Sequence, residues 1–254
     1  MIKTVIFDID NTLYDYDTCH AIGYEALADC ACGLYGLSRV DFDRLYPESM
    51  AVIKERVGDR APIHSRALRL QVFQELIGVH NYTQVVQLYR AYWEPFFAEI
   101  KPFPDVIRYL QLLKQRGIRT GVGTDMTALM QIRKLSVLGM DDLIDFVVTS
   151  EEAGAEKPGE AFFKLCCAKA LAPAKDCLFI GDNMRKDVNG ALACGMNAVH
   201  FYRPDAVPIP NSDAEFEVPE GQKFVRVSSY EELIVMAGGN RGTVPRSTGE
   251  SVLD

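Results

Sequence analysis

Two carboxylates, Asp8 and Asp10, stand two residues apart at the end of a β-branched and aromatic run, Thr4-Val5-Ile6-Phe7. In an extended segment, residues two apart point to the same face, so both side chains can lean toward one spot. Carboxylates that close cannot both stay ionised without a cation or a shared proton. A hard divalent ion with oxygen ligands resolves the conflict, and Asp182, in Gly181-Asp182-Asn183, supplies a further carboxylate. Lys157 adds a fixed positive charge. Carboxylates, one hard metal and one lysine describe a site for a phosphoryl group: metal and ammonium neutralise its oxygens while a carboxylate attacks phosphorus.

The elements that must position these residues follow from the hydrophobic pattern. Residues 3–8 read as a strand buried on both faces, as in a parallel sheet. From Asp17 to Ala98 strand-like runs disappear, and Leu68, Val72 and Leu76 recur at helical spacing. Helix and strand then alternate: helices over Pro104–Arg116, Ala128–Leu138, Ala161–Ala170 and Asp187–Cys194, strands over Ile118–Gly123, Phe146–Val148, Cys177–Ile180 and Asn197–Tyr202. This βα punctuation predicts a doubly wound, parallel-sheet α/β (Rossmann-like) core made of residues 1–16 and 99–237, with an all-α insert over 17–98. Residues 238–254, polar and Gly-rich, read as a flexible tail. Ligands of open α/β sheets bind outside the carboxyl ends of the strands. The groups there are Asp8, Asp10 and Thr12, then Thr124 and Asp125, then Glu151 to Lys157, then Asp182, Asn183 and Asp187. Singly, each is an ordinary turn or cap residue. Their coincidence at four successive strand ends points to a site.

In this combination the chain resembles the haloacid dehalogenase-like hydrolase superfamily, in the subgroup with a helical cap after its first motif. Asp8-Ile9-Asp10-Asn11-Thr12 matches the first motif, Thr124 the second, Lys157 in Glu-Lys-Pro-Gly the third, and Gly181-Asp182-Asn183 through Asp187 the fourth. The resemblance implies Asp8 as a nucleophile forming an aspartyl-phosphate, and Asp10 as the acid for the leaving oxygen and then the base for water. It implies Thr12 as support for Asp10, and phosphate binding by Thr124, Lys157 and the backbone at Asp125. It implies Mg²⁺ held by Asp8, the Asp10 carbonyl and Asp182, with Asp187 behind them and Asn183 supporting. The dehalogenases of the superfamily lack an acid at the position of Asp10, so its presence favours phosphate chemistry. The second motif departs from the common Thr-Asn or Ser-Asn, and the Asp125 carboxylate is expected to point away or to cap the next helix. The implied activity is a Mg²⁺-dependent phosphatase for a small phosphomonoester, a nucleoside 5′-monophosphate by analogy with relatives reading Asp-Asn-Thr-Leu. A sugar-phosphate phosphatase, a phosphomutase and a non-catalytic metabolite-binding regulator are the alternatives.

The bulk properties fit such a partner. The chain has 254 residues and a net charge of -8, with no basic excess to attract nucleic acid or an anionic membrane. No stretch reaches the roughly 18 apolar residues of a membrane span. Met1–Phe7 is too short for a signal-peptide core, and a cytoplasmic location is expected. The seven cysteines fit no zinc template and read as reduced thiols. Oligomeric state is not legible. Within the insert, Lys54, Arg56, Arg60, Arg66 and Arg69 could draw in an anionic substrate or simply form a solvated helix face. Tyr92, Trp93, Phe96 and Phe97 could stack a nucleobase or pack the domain junction.

Overall fold

A computed structural model describes residues 1–58, 61–204 and 224–238. Its six strands are β1 Thr4–Phe7, β2 Arg119–Thr124, β3 Phe146–Thr149, β4 Cys177–Gly181, β5 Asn197–Phe201 and β6 Phe224–Val227. They form one parallel sheet in the order β3-β2-β1-β4-β5-β6. The strand order reverses beside β1, so the crevice for a ligand opens at the carboxyl ends of β1 and its neighbours β2 and β4. Every residue of β1 is buried, as its continuous apolar run requires.

Helices α5 (Val106–Gln115), α6 (Ala128–Val137), α7 (Ser150–Ala153), α8 (Glu160–Ala170), α9 (Asn189–Ala193) and α10 (Tyr230–Met236) belong to the core. Helix α5 buries Val106, Tyr109, Leu110 and Leu113, the i, i+3, i+4, i+7 stripe of a helix lying on a sheet. Strand β2 carries glycines where bulk is excluded: a Cβ on Gly121 would stand 2.2 Å from the Phe146 ring. The helix expected over Asp187–Cys194 begins instead with a π-helical turn, Met184–Val188, followed by α9. Strand β6 and helix α10 were not anticipated from the pattern, and residues 239–254 of the expected tail lie outside the described residues.

Between β1 and β2 lie α1 (Tyr16–Tyr35), α2 (Arg39–Val57), α3 (Arg66–Leu76) and α4 (Tyr82–Glu99). Each starts at a side-chain cap: Asp15, Ser38, Ser65 and Asn81 accept from the amide three residues on. Helices α1 and α4 pack closely enough that a Cβ on Gly23 would stand 2.8 Å from the Tyr92 carbonyl. The chain leaves and re-enters the core at one place, where the Phe103 amide donates to the Leu13 carbonyl at 2.9 Å and Tyr14 bridges to Pro102. Tyr92, Trp93, Phe96 and Phe97 are buried and pack on one another and on Tyr14, so none offers a free face to a base. Among the described residues no helix is long and apolar enough to cross a membrane, and no cysteine is in a disulfide.

Candidate active site

Beyond β1 the chain turns sharply at Asn11, a non-glycine residue at φ 60°. Asn tolerates this left-handed conformation because its short amide bonds locally. Here the Asn11 Oδ1 accepts from the Tyr16 amide at 3.0 Å and from Arg203 at 2.7 Å. The turn brings Asp8 and Asp10 to the strand ends with different partners. The buried Asp8 accepts from Lys157 Nζ at 2.7 Å, and Lys157 also pairs with the buried Asp187 at 2.7 Å. One oxygen each from Asp8, Asp182 and Asp187 lies within 4.8 Å of the others.

Three carboxylates therefore crowd together, with one ammonium paired to two of them, Asp8 and Asp187. Burial, with Asp187 and Asp10 close by, pushes the Asp8 carboxyl up to about 7 against the pull of Lys157. Burial, then Asp187 and Asp8, hold Asp182 well above the usual carboxylate range. Burial works to lower the Lys157 ammonium, but Asp187, Asp8 and Asp125 outweigh it and raise it well above its ordinary value. Hard oxygen donors with an excess of negative charge fit a divalent cation of the Mg²⁺ or Ca²⁺ type.

Asp10 has partners of its own. Lys134 Nζ bonds both of its oxygens, at 2.7 and 2.8 Å, and the Tyr14 hydroxyl donates to one at 2.6 Å. Gln131 reaches the other oxygen at 3.4 Å and gives a shorter bond, 2.7 Å, to the Thr124 hydroxyl. Lys134 is fully buried. Burial lowers its ammonium below the ordinary lysine value, with Asp10 pulling the other way. The support expected from Thr12 is corrected accordingly: its hydroxyl is buried without a hydrogen-bond partner among the described residues, and Asp10 is steadied by Tyr14, Lys134 and Gln131. What Thr12 contributes is a backbone carbonyl that accepts from Tyr230 at 3.0 Å, tying α10 to this loop.

Asp125 does not cap the next helix either. Its carboxylate accepts from the Lys157 amide at 3.0 Å and pairs with Lys186 at 2.7 Å, while Glu151 takes the Ala128 amide at the start of α6. The two lysines, acting against burial, keep Asp125 below its ordinary value. Its side chain thus braces the loop carrying Lys157. Asn183 shapes the π-helical turn, accepting from the Lys186 amide at 2.9 Å and donating its own amide to Asp187 at 2.9 Å. His200 bonds the Asp182 carbonyl at 3.0 Å, fixing that strand end.

Sequence reasoning missed Lys134, Gln131 and the role of Tyr14 at Asp10, although Tyr14 stands beside the first motif. A signal was present for two of them. Met130, Gln131, Lys134, Leu135 and Leu138 form one face at helical spacing, so Gln131 and Lys134 are polar residues on a stripe that must be buried.

The sequence pattern of the haloacid dehalogenase-like hydrolases matches residues 2–195. A ribulose-1,5-bisphosphate 5-phosphatase from Halopiger xanaduensis is 34% identical over 203 residues, 79% of this chain and 85% of that one. A glyceraldehyde 3-phosphate phosphatase from Methanopyrus kandleri is 31% identical over 235 residues, 89% of this chain and 97% of that one. The crystal structure of a HAD phosphatase from Thermococcus onnurineus shares the fold, with a TM-score of 0.68 over 95% of this chain and 100% of that one, at 21% identity. With these matches added to four strand ends that carry the motifs in order, the chain belongs to the haloacid dehalogenase-like hydrolase family and is a phosphoric monoester hydrolase.

Proposed function

We propose that the protein is a Mg²⁺-dependent phosphatase of small sugar phosphates, working through an aspartyl-phosphate on Asp8. The observation that carries the reading is the division of labour between the two carboxylates of the first loop. Asp8 lies with Lys157, Asp182 and Asp187, whereas Asp10 is gripped apart from them by Lys134 and Tyr14. One carboxylate is set beside a cationic pocket for attack, and the other is held for proton transfer.

In the first step an Asp8 oxygen attacks phosphorus, the bond to the leaving oxygen breaks, and Asp10 in its protonated form gives that oxygen a proton. Asp10 then takes a proton from water as the water attacks phosphorus, and the Asp8–phosphorus bond breaks to free phosphate. Lys157 neutralises phosphate oxygens throughout, and Thr124 with its adjoining backbone completes the phosphate cradle. Asp8, Asp182 and the backbone carbonyl of Asp10 would hold Mg²⁺, with Asp187 behind them; the ion supplies charge neutralisation at the phosphoryl oxygens.

Sugar phosphates are preferred to nucleotides on two grounds. The relatives that align over most of their length carry the names of sugar-phosphate and triose-phosphate phosphatases. The aromatic cluster of α4, the candidate platform for a base, is consumed by packing. The test is phosphate release across sugar phosphates and nucleoside monophosphates with Mg²⁺ present. Release from sugar phosphates is expected, abolished by Asp8→Asn and by chelation; full activity of either would sink the mechanism.

A further inference from the structure

Of the five basic residues in the middle of the insert, the structure treats two differently from the others it describes in full. Arg56 pairs with Glu75 at the surface, an ordinary solvated contact. Arg66 and Arg69 stand three residues apart on one face of α3, Arg66 buried and Arg69 half-buried. Arg66 is only 8% exposed; it lies 3.5 Å over the Tyr92 ring and donates to the Tyr46 hydroxyl at 2.8 Å. Among the described residues Arg69 reaches the Met50 sulfur and the Tyr46 ring. The Nε of each is buried with no hydrogen-bond partner, and among the described residues neither guanidinium has a carboxylate within ion-pair distance. A buried guanidinium without a counter-ion is costly, and its planar fork matches phosphate. That cost falls on Arg66; the half-buried Arg69 beside it adds a second positive charge for one occupant to neutralise.

Their place in the fold names that occupant. A chain of ring contacts runs from Arg66, over the buried Tyr92, back to the reacting groups. Tyr92 lies 5.8 Å from His20, and His20 stacks on Tyr16 at 5.4 Å. The Tyr16 ring is in turn 5.4 Å from Lys134 Nζ, the partner of Asp10. Tyr16 and His20 are partly exposed, and Arg66 also lines a cavity of about 230 Å³ between the insert and α6, with Tyr89, Trp93 and Met130. His20, bonded to the Tyr92 hydroxyl at 2.8 Å, is kept neutral by burial and by Arg66 and Arg69, its imidazole lowered to about 4. The neutral imidazole of His20 and the phenol of Tyr16, both partly exposed, suit sugar hydroxyls.

Resting on the phosphatase reading above, we infer that Arg66 and Arg69 form a second phosphate subsite in the insert, so that the preferred substrate is a sugar bisphosphate. One phosphate sits at Asp8 and Lys157 and reacts; the other is clamped by the two guanidiniums and stays on the product. A carboxylate would neutralise one of the two charges, whereas a phosphate dianion neutralises both.

The test separates binding from turnover. In the Asp8→Asn protein with Mg²⁺, calorimetry should find a sugar bisphosphate binding at least about tenfold tighter than the monophosphate of the same sugar. Arg66→Gln and Arg69→Gln should each shrink that margin, and Arg66→Lys should retain more of it than Arg66→Gln. The Arg69 variant keeps the test decisive if Arg66→Gln does not fold, because Arg69 is less buried. Equal affinity for the two esters, or an unchanged margin in Arg69→Gln, would overturn the subsite. A sugar phosphate ending in a carboxylate that binds as tightly as the bisphosphate would overturn its assignment to phosphate. Failure of the phosphatase reading shows separately, as wild-type protein releasing phosphate from neither ester, and the calorimetry still decides the subsite.

Discussion

Asp10 is bound by an ammonium and a phenol where the motif alone suggested a threonine. Three donors fix the carboxylate's direction, which proton transfer to a leaving oxygen requires. Lys134→Met should therefore lower kcat by about 10²-fold with a smaller change in KM. It should leave Mg²⁺ affinity near the wild-type value, because Lys134 touches none of the Asp8, Asp182 and Asp187 cluster. Steady-state kinetics and a metal titration on the same variant check both halves. The Asp8 cluster makes a second prediction. In the metal-free protein the Asp8 carboxyl is raised from 3.8 to about 7, so between these values the folded chain binds protons that the unfolded chain does not. Its contribution to stability is full below 3.8 and is lost as pH rises through 7. A bound cation replaces that proton, so the gain in Tm from Mg²⁺ should grow from about pH 5.5 to pH 8. Melting curves in paired buffers read it, and a pH-independent gain would contradict it. The reacting residues were legible in the sequence because strand ends and motif spacing locate them together. The partnership of Lys134 and Tyr14 with Asp10 was not, because Lys134 reaches it across the fold and Tyr14, four residues on, only through the shape of the turn between them.

At the scale of elements, the site depends on how closely the turn after β4 folds back on its strand. A Cβ on Gly181 would stand 2.4 Å from the Asp187 carboxylate, so only glycine lets the π-helical turn seat Asp187 against the strand end. Gly181→Ala should displace Asp187 and weaken metal binding by about tenfold, the scale of a lost supporting contact, with a smaller effect on KM for the organic part of the substrate. Isothermal titration with Mg²⁺ measures it. The alternating pattern located five of the six strands, with boundaries within about two residues, as the usual uncertainty of element ends allows. Strand β6, Phe224-Val225-Arg226-Val227, escaped because it is a short edge strand, partly exposed, with a charge in its middle. The π-helical turn escaped because the helical pattern starts only at Asp187, three residues into it; its shape comes from the Asn183 and Asp187 bonds. In the insert, helical periodicity indicated helices but not that one basic patch would divide, with Arg56 outside and Arg66 inside.

Across the whole molecule, one apolar cluster runs through both parts, joining Phe7 and Tyr109 of the core to Leu27, Phe73 and Trp93 of the insert. Trp93, the single tryptophan, is buried near the junction and reports on it. Unfolding should accordingly be one transition, with Trp93 fluorescence and far-UV circular dichroism giving coincident midpoints. A fluorescence midpoint well below the dichroism midpoint would mean that the insert melts on its own. The net charge of -8 sets no obstacle to an anionic substrate, since Lys157 and a cation govern the field at the strand ends and Arg66 and Arg69 govern it in the insert. The crossing of the two connecting segments, where Phe103 bonds Leu13 and Tyr14 bridges Pro102, has an evolutionary consequence. Because departure and return share one doorway, the helical unit is exchangeable as a cassette. A lineage can trade it whole, or vary its lining, and acquire a new diet of esters while the hydrolytic engine beneath stays as it was.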